Sequence, residues 1–349
     1  MSVIRVRGEK IRQFIIDNVE AHSLDIAKVT SDKFTISRQA ANVHIKNLVI
    51  EKSLSALGQT RNRSYKLCPL VTQEKIYSLK SGVTEDQAWR DFISPLLGTL
   101  PKNVMDIWHY GFTEMFNNAI DHSEGSNLSI HFEKTAASSE VILSDDGVGI
   151  FKKIQAALGL LDERHSVLEL AKGKLTTDPA NHSGEGIFFS SRMFDSYEIL
   201  SGGVYFSHAF GHKADWILEP QKPSNGTKVR MKLNNHTART SKKVFDQFTD
   251  KEDYGFNKTI VPVKLTKYGD DNLVSRSQAK RLLARIDKFK IVIFDFRDVD
   301  TVGQAFADEV FRVFAIQHPT MELLDVNAQA RVSEMIQRAR ANLKASQAS

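Results

Sequence analysis

The stretch Phe112-Thr-Glu-Met-Phe-Asn-Asn-Ala-Ile-Asp-His122 has the pattern of a buried helix that carries a polar site. Its apolar side chains recur at i, i+3, i+4, i+7 and i+8, which is one face of a helix with a 3.6-residue period. The residues of this face are Phe112, Met115, Phe116, Ala119 and Ile120. Glu114 and Asn118 are four residues apart, so their side chains lie one turn apart on the same side.

This pair of side chains suits a site for phosphate and a divalent cation. The amide oxygen of Asn118 can bind Mg²⁺, which prefers hard oxygen ligands. The carboxylate of Glu114 can accept a proton from the water or hydroxyl that attacks a terminal phosphate. Because any amphipathic helix can carry such a pair, the prediction depends on the segments that follow.

Three glycine-containing turns follow this helix in order. Val141-Ile-Leu-Ser-Asp-Asp-Gly-Val-Gly-Ile150 is typical of a strand that enters an acidic turn. His182-Ser-Gly-Glu-Gly-Ile-Phe-Phe-Ser-Ser-Arg192 is typical of a glycine turn that opens a helix. Asn225-Gly-Thr-Lys-Val-Arg-Met-Lys-Leu233 leads into an alternating strand. Each turn alone is compatible with an ordinary turn or helix start, so the prediction rests on their order.

In this order the four segments resemble the GHKL ATPases, the superfamily of gyrase, the ninety-kilodalton heat-shock chaperones, MutL and histidine kinases. The resemblance covers about Gln87 to Asn235 and implies an α/β sandwich, the Bergerat ATP-binding fold. Asp145 matches the aspartate that accepts a hydrogen bond from the adenine amino group. Gly147 and Gly149 match the glycines that let the backbone approach the base. The residue that would help to hold adenine through water is Thr227.

The resemblance also implies where the phosphates of ATP and the Mg²⁺ ion bind. Gly184 and Gly186 match the second glycine box, where backbone N–H groups meet the phosphates at a helix N-terminus. Glu114 and Asn118 match the general base and the magnesium ligand. Residues 150–183 match the nucleotide lid, in which two lysines are expected to be solvated or, alternatively, to touch the phosphates. These lysines are Lys172 and Lys174.

Residues 1–70 have the pattern of three helices followed by a hairpin. Ser37 is a typical N-cap for the third helix. The face of that helix opposite its apolar stripe carries side chains suited to base edges and phosphates, namely Arg38, Gln39, Asn42 and Lys46. Residues 54–57 and 64–67 are expected to pair as strands, with Arg61 and Arg63 on the hairpin. The whole resembles a winged helix-turn-helix, which implies binding of double-stranded DNA. The alternative is a winged helix that contacts only protein.

Polar residues 71–84 are expected to form an irregular linker, with the ATP-binding domain over 85–240. His109 is the nearest candidate for the phosphoacceptor of a histidine kinase, but Tyr110 follows it where an acidic residue is expected. A standard histidine kinase is therefore disfavoured. The pattern Glu114-x-x-x-Asn118-Ala119-x-x-His122 resembles instead the anti-sigma-factor serine kinases, which share the ATPase fold.

Residues 254–345 show strands alternating with helices, a pattern that predicts a sheet with crossover connections. Asp295-Phe-Arg-Asp-Val-Asp-Thr-Val-Gly303 resembles the strand-to-helix turn of a STAS domain, in a STAS-like module of the DUF4325 type. Val302 stands where STAS domains carry the phosphorylated serine, and Thr301 stands one position earlier. We expect this domain to mediate protein interaction or dimerisation.

Composition sets limits on the class of protein. A chain of 349 residues with 41% hydrophobic and 26% charged residues is long enough for two or three folded domains. Cys68 is the single cysteine, which excludes an intrachain disulfide and fits a reducing, cytoplasmic compartment. The N-terminal residues lack the apolar core of a signal peptide, and no apolar run reaches membrane-spanning length. The net charge of +5 permits nucleic-acid contact without requiring it.

The sequence therefore predicts an intracellular, multidomain α/β regulator in the order winged helix, GHKL domain and STAS-like domain. ATP with Mg²⁺, and slow hydrolysis by Glu114, would control binding to DNA or to a protein partner. One alternative is a serine/threonine protein kinase that phosphorylates Thr301 or another protein. Another is a structural nucleotide binder without turnover. A homodimer is compatible with both of these alternatives and with the regulator.

Overall fold

The computed structural model describes residues 6–59, 62–175, 184–210, 216–218, 224–249, 255–267 and 272–348. Within these ranges the chain is a mixed α/β protein with sheets of two, seven and three strands. The three sheets follow one another along the chain. We refer to the parts around them as the N-terminal unit (6–67), the middle unit (71–249) and the C-terminal unit (255–348).

The N-terminal unit consists of three helices and an antiparallel hairpin. Its elements are α1 (Val6–Asn18), α2 (Ile26–Phe34), α3 (Arg38–Ile50), β1 (Leu54–Leu57) and β2 (Ser64–Leu67). The side chain of Ser37 accepts a hydrogen bond from the backbone N–H of Ala40 at 3.1 Å, so the predicted N-cap of α3 is confirmed. A small hydrophobic core of its own holds the unit together, with Ile15, Ile45 and Leu54 among its members. The order of elements is as predicted, and the winged-helix interpretation stays a prediction.

The middle unit is built on a seven-stranded sheet with the order β3-β4-β5-β9-β6-β7-β8. The strands are β3 (Val71–Ser78), β4 (Asn127–Lys134), β5 (Ser138–Asp145), β6 (Ser196–Gly202), β7 (Val204–Ala209), β8 (Trp216–Leu218) and β9 (Ser224–Asn234). Strands β4 and β5 form an antiparallel hairpin, in which Leu128 pairs with Asp145 and Lys134 with Ser139.

The expectation of an irregular linker was wrong for residues 71–78, which form strand β3. This strand pairs antiparallel with β4 along its whole length, from Val71 opposite Lys134 to Ser78 opposite Asn127. Pairing satisfies the backbone N–H and C=O groups that face β4, regardless of how polar the side chains are. Tyr77 anchors the strand by edge-to-face contact with Phe116, at 5.6 Å between ring centroids.

Helices of the middle unit pack against this sheet and carry the site described below. They are α4 (Glu85–Ala88), which continues through a π-helical turn (Trp89–Ile93) into α5 (Ser94–Leu97), then α6 (Lys102–His122), α7 (Ile150–Leu158), α8 (Glu163–Lys172), α9 (Gly186–Met193) and α10 (Ser241–Asp246). Phe112, Met115, Phe116 and Ala119 of α6 are buried as the 3.6-residue pattern predicts, whereas Ile120 is only partly buried.

The C-terminal unit is a parallel sheet in the order β10-β11-β12, with crossover helices between its strands. Its strands are β10 (Lys258–Pro262), β11 (Ile291–Asp295) and β12 (Glu322–Val326). Its helices are α11 (Arg276–Leu283), α12 (Gln304–Asp308), which leads through a π-helical turn (Glu309–Val313) into α13 (Phe314–Gln317), and α14 (Ala330–Ala348). The predicted sheet with crossover connections is confirmed.

One continuous hydrophobic core joins the middle and C-terminal units. Helix α8 lies at their junction, in contact with β10 of the C-terminal unit and with α7 and α9 of the middle unit. Residues 165–172 of α8 are all buried, which is unusual for a sequence that contains histidine, glutamate and lysine. The polar side chains of this helix therefore need partners inside the protein.

Candidate functional site

The four predicted segments converge on one cavity of about 270 Å³ in the middle unit. Helix α6 contributes Glu114 and Asn118, and β5 contributes Asp145 at its end. Gly184 and Gly186 lie at the start of α9, and Thr227 lies on β9. Apolar side chains complete the lining, among them Met115, Leu143, Ile150, Ile154, Leu170, Leu175 and Val229. Polar groups therefore face an otherwise apolar cavity, as in sites for small ligands.

Asp145 is held at this cavity by backbone donors from two different segments. Its Oδ1 atom accepts hydrogen bonds from the N–H of Gly147 at 2.9 Å and from the N–H of Thr227 at 3.2 Å. Within the described residues, no protein donor reaches the other oxygen, Oδ2. Burial raises the pKa of Asp145, and the two backbone hydrogen bonds act in the opposite direction. The side chain therefore offers one oriented oxygen to a donor in the cavity.

The hydroxyl of Thr227 also has a structural role. Its Oγ1 accepts a hydrogen bond from the backbone N–H of Ile150 at 3.0 Å, at the start of α7. Strand β9, the acidic turn and α7 are thus tied together at one end of the cavity. Neither Gly147 nor Gly149 is among the described residues that line the cavity. A Cβ on Gly147 would overlap the carbonyl oxygen of Ser123, so this glycine lets the turn approach the end of α6.

Glu114, another residue of the cavity lining, lies against the start of α9. A Cβ on Gly186 would overlap the Oε2 atom of Glu114, so the carboxylate can lie here only because residue 186 is glycine. Burial raises the pKa of Tyr197, and the negative charge of Glu114 raises it further by a smaller amount. The Tyr197 hydroxyl donates to Sδ of Met115 at 3.0 Å and stays protonated beside the site. Asn118 Nδ2 lies 3.8 Å from the same sulfur, which leaves the amide oxygen as the end available to a cation.

The sequence motifs did not predict a role for two charged residues, one in the cavity lining and one beside it. Lys153 lines the cavity, and its Nζ donates to the carbonyl oxygen of His122 at 2.8 Å and to Glu124 Oε1 at 2.9 Å. Its signal in the sequence is its spacing, since Ile150, Lys153 and Ile154 lie at i, i+3 and i+4 and all face the cavity. The second is Glu185, inside the glycine turn. Burial raises its pKa, and the charge of Lys174 lowers it.

Lys172 and Lys174 both contact the C-terminal unit, and the expectation of a solvated side chain or a phosphate contact was wrong for Lys172, which is buried, whereas Lys174 is partly exposed. Lys172 is only 1% exposed and pairs with Glu169, with 2.7 Å between Nζ and Oε1. Its Nζ also donates to the carbonyl oxygens of Arg281 at 3.1 Å and Ala284 at 2.7 Å. Hydropathy marks lysine as a surface residue, and only these distant partners make its burial possible. The rest of the predicted lid, residues 176–183, lies outside the described residues.

The residues predicted to contact DNA are exposed wherever the structure describes them. All four predicted side chains of α3 are exposed, namely Arg38, Gln39, Asn42 and Lys46. Arg63 is exposed beside β2, with its guanidinium 5.6 Å from the ring centroid of Tyr65, and Arg61 lies outside the described residues. Residues 1–70 contain twelve Lys and Arg against six Asp and Glu, so they carry +6 while the remainder of the chain carries −1.

The predicted STAS-like turn lies at the carboxyl ends of β11 and β12. Asp295 accepts hydrogen bonds from the backbone N–H of Arg297 at 3.0 Å and from Nδ2 of Asn327 at 2.9 Å. Val302 is 7% exposed and forms a parallel bridge with Leu273, whereas Thr301 is partly exposed. The residue at the expected switch position is thus buried, and the threonine one position earlier is partly exposed.

No helix in the described parts of the chain combines the length and the apolar character needed to cross a membrane.

Comparison with known proteins identifies one part of the chain. No curated protein matches the chain. A family described as "STAS-like domain of unknown function (DUF4325)" matches residues 278–329. The match begins within α11, ends just before α14 and includes β11, β12 and the turn that carries Thr301. Residues 278–329 therefore form a STAS-like domain, as predicted from the turn after β11.

Proposed function

We propose that this chain is a regulator whose middle unit binds ATP with Mg²⁺ and whose N-terminal unit binds double-stranded DNA. The observation that carries the proposal is the position of Asp145, whose Oδ1 is held by Gly147 and Thr227 while Oδ2 is left for a donor in the cavity. A carboxylate oriented in this way accepts a hydrogen bond from the amino group of adenine. Guanine has an oxygen at the equivalent place and cannot donate there.

Glu114 and Asn118, on α6, fit a site for Mg²⁺ that arrives with the nucleotide. Among the described residues, no cluster of three or more His, Cys, Asp or Glu forms a preformed metal site. Mg²⁺ commonly binds through one or two protein oxygens together with substrate phosphates and water. Asn118 would supply such an oxygen, and the ion would neutralise charge on the phosphates. Glu114 would act as general base on the attacking water.

The proposal for DNA rests on the charge and exposure of the N-terminal unit. Residues 1–70, which include this unit, carry a net charge of +6 against −1 for the rest of the chain, so an electrostatic attraction to phosphate is concentrated here. Exposed Arg38, Gln39 and Asn42 on the first turns of α3 suit hydrogen bonds to bases and phosphates. ATP would alter DNA or partner binding if it binds two arrangements of the chain with different affinity.

Calorimetric titration with ATP and GTP in the presence of Mg²⁺ tests the nucleotide site. In Asp145→Asn the amide oxygen replaces Oδ1 as acceptor for the two backbone N–H groups, and the NH₂ group then faces the adenine amino group. Two donors face each other, so ATP binding should be lost. Asp106→Asn makes the same chemical change at an exposed position of α6 and should bind ATP like the wild type. Equal binding of ATP and GTP, or unchanged binding by Asp145→Asn, would contradict the proposal.

A second candidate function is a protein kinase that phosphorylates Thr301 of its own STAS-like domain. It is favoured by the partial exposure of Thr301 next to buried Val302. The hydroxyl oxygen would attack the γ-phosphorus of ATP, ADP would leave, and the hydroxyl proton would pass to Glu114 or to water. Mass spectrometry after incubation with ATP separates the two functions. A phosphate that is present in the wild type and absent in Thr301→Val supports the kinase, and free phosphate with unmodified chain supports the ATPase.

A further inference from the structure

We infer that the STAS-like C-terminal unit regulates the nucleotide site of the same chain through residues 170–175, an inference that rests on the proposed ATP binding. Leu170 and Leu175 both line the cavity. Lys172, between them in sequence, is buried against the C-terminal unit. The same short segment thus forms part of the cavity lining on one side and part of the junction between units on the other.

Lys172 fixes the end of α8 to the end of α11. The last carbonyl groups of a helix lack partners within that helix. Nζ of Lys172 donates to two carbonyl oxygens at this end of α11, that of Ala284 and that of Arg281, which also accepts the backbone N–H of Ala284. Separation of the helices would break both hydrogen bonds from Lys172 to the end of α11 and leave Glu169 as the partner of a buried ammonium group, which is costly in a low-dielectric interior. The end of α8 is therefore expected to move only together with α11.

Further polar contacts hold α8 along its length. The hydroxyl of Thr259, on β10, donates to the carbonyl oxygen of Lys172 at 2.6 Å. His165 Nε2 lies 2.7 Å from Nη1 of Arg281, and Glu169 Oε2 lies 3.7 Å from Nε of Arg285. The contacts come from both β10 and the α11 region, so displacement of either element reaches α8.

The segment after α8 carries these contacts on to the glycine turn. Lys174 donates to the carbonyl oxygen of Lys288 at 3.1 Å, and its Nζ lies 5.0 Å from the ring centroid of Phe289. The next residue, Leu175, donates its backbone N–H to the carbonyl oxygen of Gly184 at 3.1 Å. A continuous path of direct contacts therefore joins the STAS-like domain to the place where the phosphates are proposed to bind.

This arrangement assigns a function to the STAS-like domain within the chain. While it is docked, Leu170, Leu175 and Gly184 are held in the positions that form the cavity. A partner that shifts α11 or β10 would loosen these residues and weaken ATP binding. By thermodynamic linkage, ATP would equally favour the docked arrangement.

The test uses the full chain with Thr259→Val, which keeps the shape of a fully buried side chain and removes one hydrogen bond to α8. Thr259 lies outside the cavity lining, and we expect ATP to bind about fivefold more weakly or worse, within the usual range of coupling. Arg281→Gln, which breaks the contact with His165, is a second variant with the same expected direction. Arg340→Gln is the matched control, because Arg340 pairs with Asp325 at 2.7 Å in the C-terminal unit without contacting α8.

Calorimetry on these variants gives distinguishable outcomes. Weaker ATP binding by Thr259→Val and Arg281→Gln, with unchanged binding by Arg340→Gln, supports regulation through α8. Wild-type affinity in folded Thr259→Val and Arg281→Gln overturns it while leaving ATP binding intact. No ATP binding by the wild type overturns the proposed function itself. Amide exchange of the wild type adds a check that needs no variant, since ATP should slow exchange in α11 and β10.

Discussion

The carboxylate of Asp145 accepts a hydrogen bond from the backbone N–H of Thr227 at 3.2 Å, across 82 residues of chain. This contact joins the acidic turn after β5 to the start of β9, two segments whose strands are neighbours in the seven-stranded sheet. Pairing of those strands brings the turn and Thr227 to the same edge. The orientation of the carboxylate therefore follows from sheet topology and does not require a bound ligand.

The first prediction concerns the free energy of unfolding of Asp145→Asn. Burial raises the pKa of Asp145 in the folded state, so ionisation of this carboxyl destabilises the fold. The cost is absent below the unfolded-state pKa and grows as pH rises through the raised folded-state pKa. Asparagine keeps the acceptor for Gly147 and Thr227 and carries no charge. Thermal unfolding should therefore show Asp145→Asn more stable than the wild type at neutral pH, with a difference that shrinks towards acid pH.

An opposite pH trend would show that the two backbone hydrogen bonds outweigh burial. Loss of ATP binding together with a gain in stability is the result expected if Asp145 is a functional residue. Binding sites often retain groups that are unfavourable for the stability of the fold.

The second prediction concerns Gly186→Ala. The added methyl group would overlap the carboxylate of Glu114, so either Glu114 or the start of α9 must move. We expect ATP turnover to fall at least tenfold, because displacement of a catalytic group by about 1 Å can cost that much or more. Gly203→Ala is the matched control, since a Cβ there meets no atom within 4 Å. Equal turnover in both variants would argue against a role of Glu114 in hydrolysis.

The third prediction concerns Glu114→Gln. Glutamine keeps the shape of the side chain and removes the base, so the hydrolysis rate should fall about 10²–10⁴-fold, the usual contribution of a general base. ATP binding should be retained, because adenine recognition lies at Asp145. Phosphate release under single-turnover conditions measures the rate, and Glu74→Gln, on the exposed edge strand β3, is the control. An unchanged rate would remove Glu114 from the mechanism.

The fourth prediction concerns DNA. Arg38→Ala and Lys46→Ala should weaken binding to a duplex, and each lost phosphate contact should reduce the slope of log K against log salt by about 1. Lys80→Ala removes an exposed charge from the middle unit and should leave both quantities unchanged. Fluorescence anisotropy over a range of salt concentrations supplies the measurement. If all three variants bind alike, the assignment of α3 as the DNA-contacting helix is overturned.

Local patterns were sufficient where one face of an element is apolar. Helix α6 could be predicted because its buried positions follow the 3.6-residue period of the element. Strand β3 could not, because most of its side chains face solvent and its place depends on pairing with β4. Likewise, nothing near Lys172 in the sequence indicates the carbonyl oxygens of Arg281 and Ala284 that permit its burial.

In the candidate site, too, local motifs could be predicted from the sequence and contacts between distant segments could not. The glycine turns and the Glu114–Asn118 pair were visible as ordered motifs, and the structure brings them to one cavity. Lys153 was not identified, because a lysine in a polar stretch of helix is usually solvated and its orientation depends on His122 and Glu124. Contacts between segments that are distant in sequence explain why the position of Lys153, like that of Lys172, could not be predicted.

The hydrophobic core that runs without interruption from the middle unit into the C-terminal unit has a consequence for unfolding. Two units that share a core and enclose α8 between them are expected to melt in a single cooperative transition, while the N-terminal unit, with its separate core, melts independently. A fragment that ends before β10 would expose the buried flank of α8 to water. The STAS-like domain is thus a structural requirement for an intact middle unit as well as a neighbour of it.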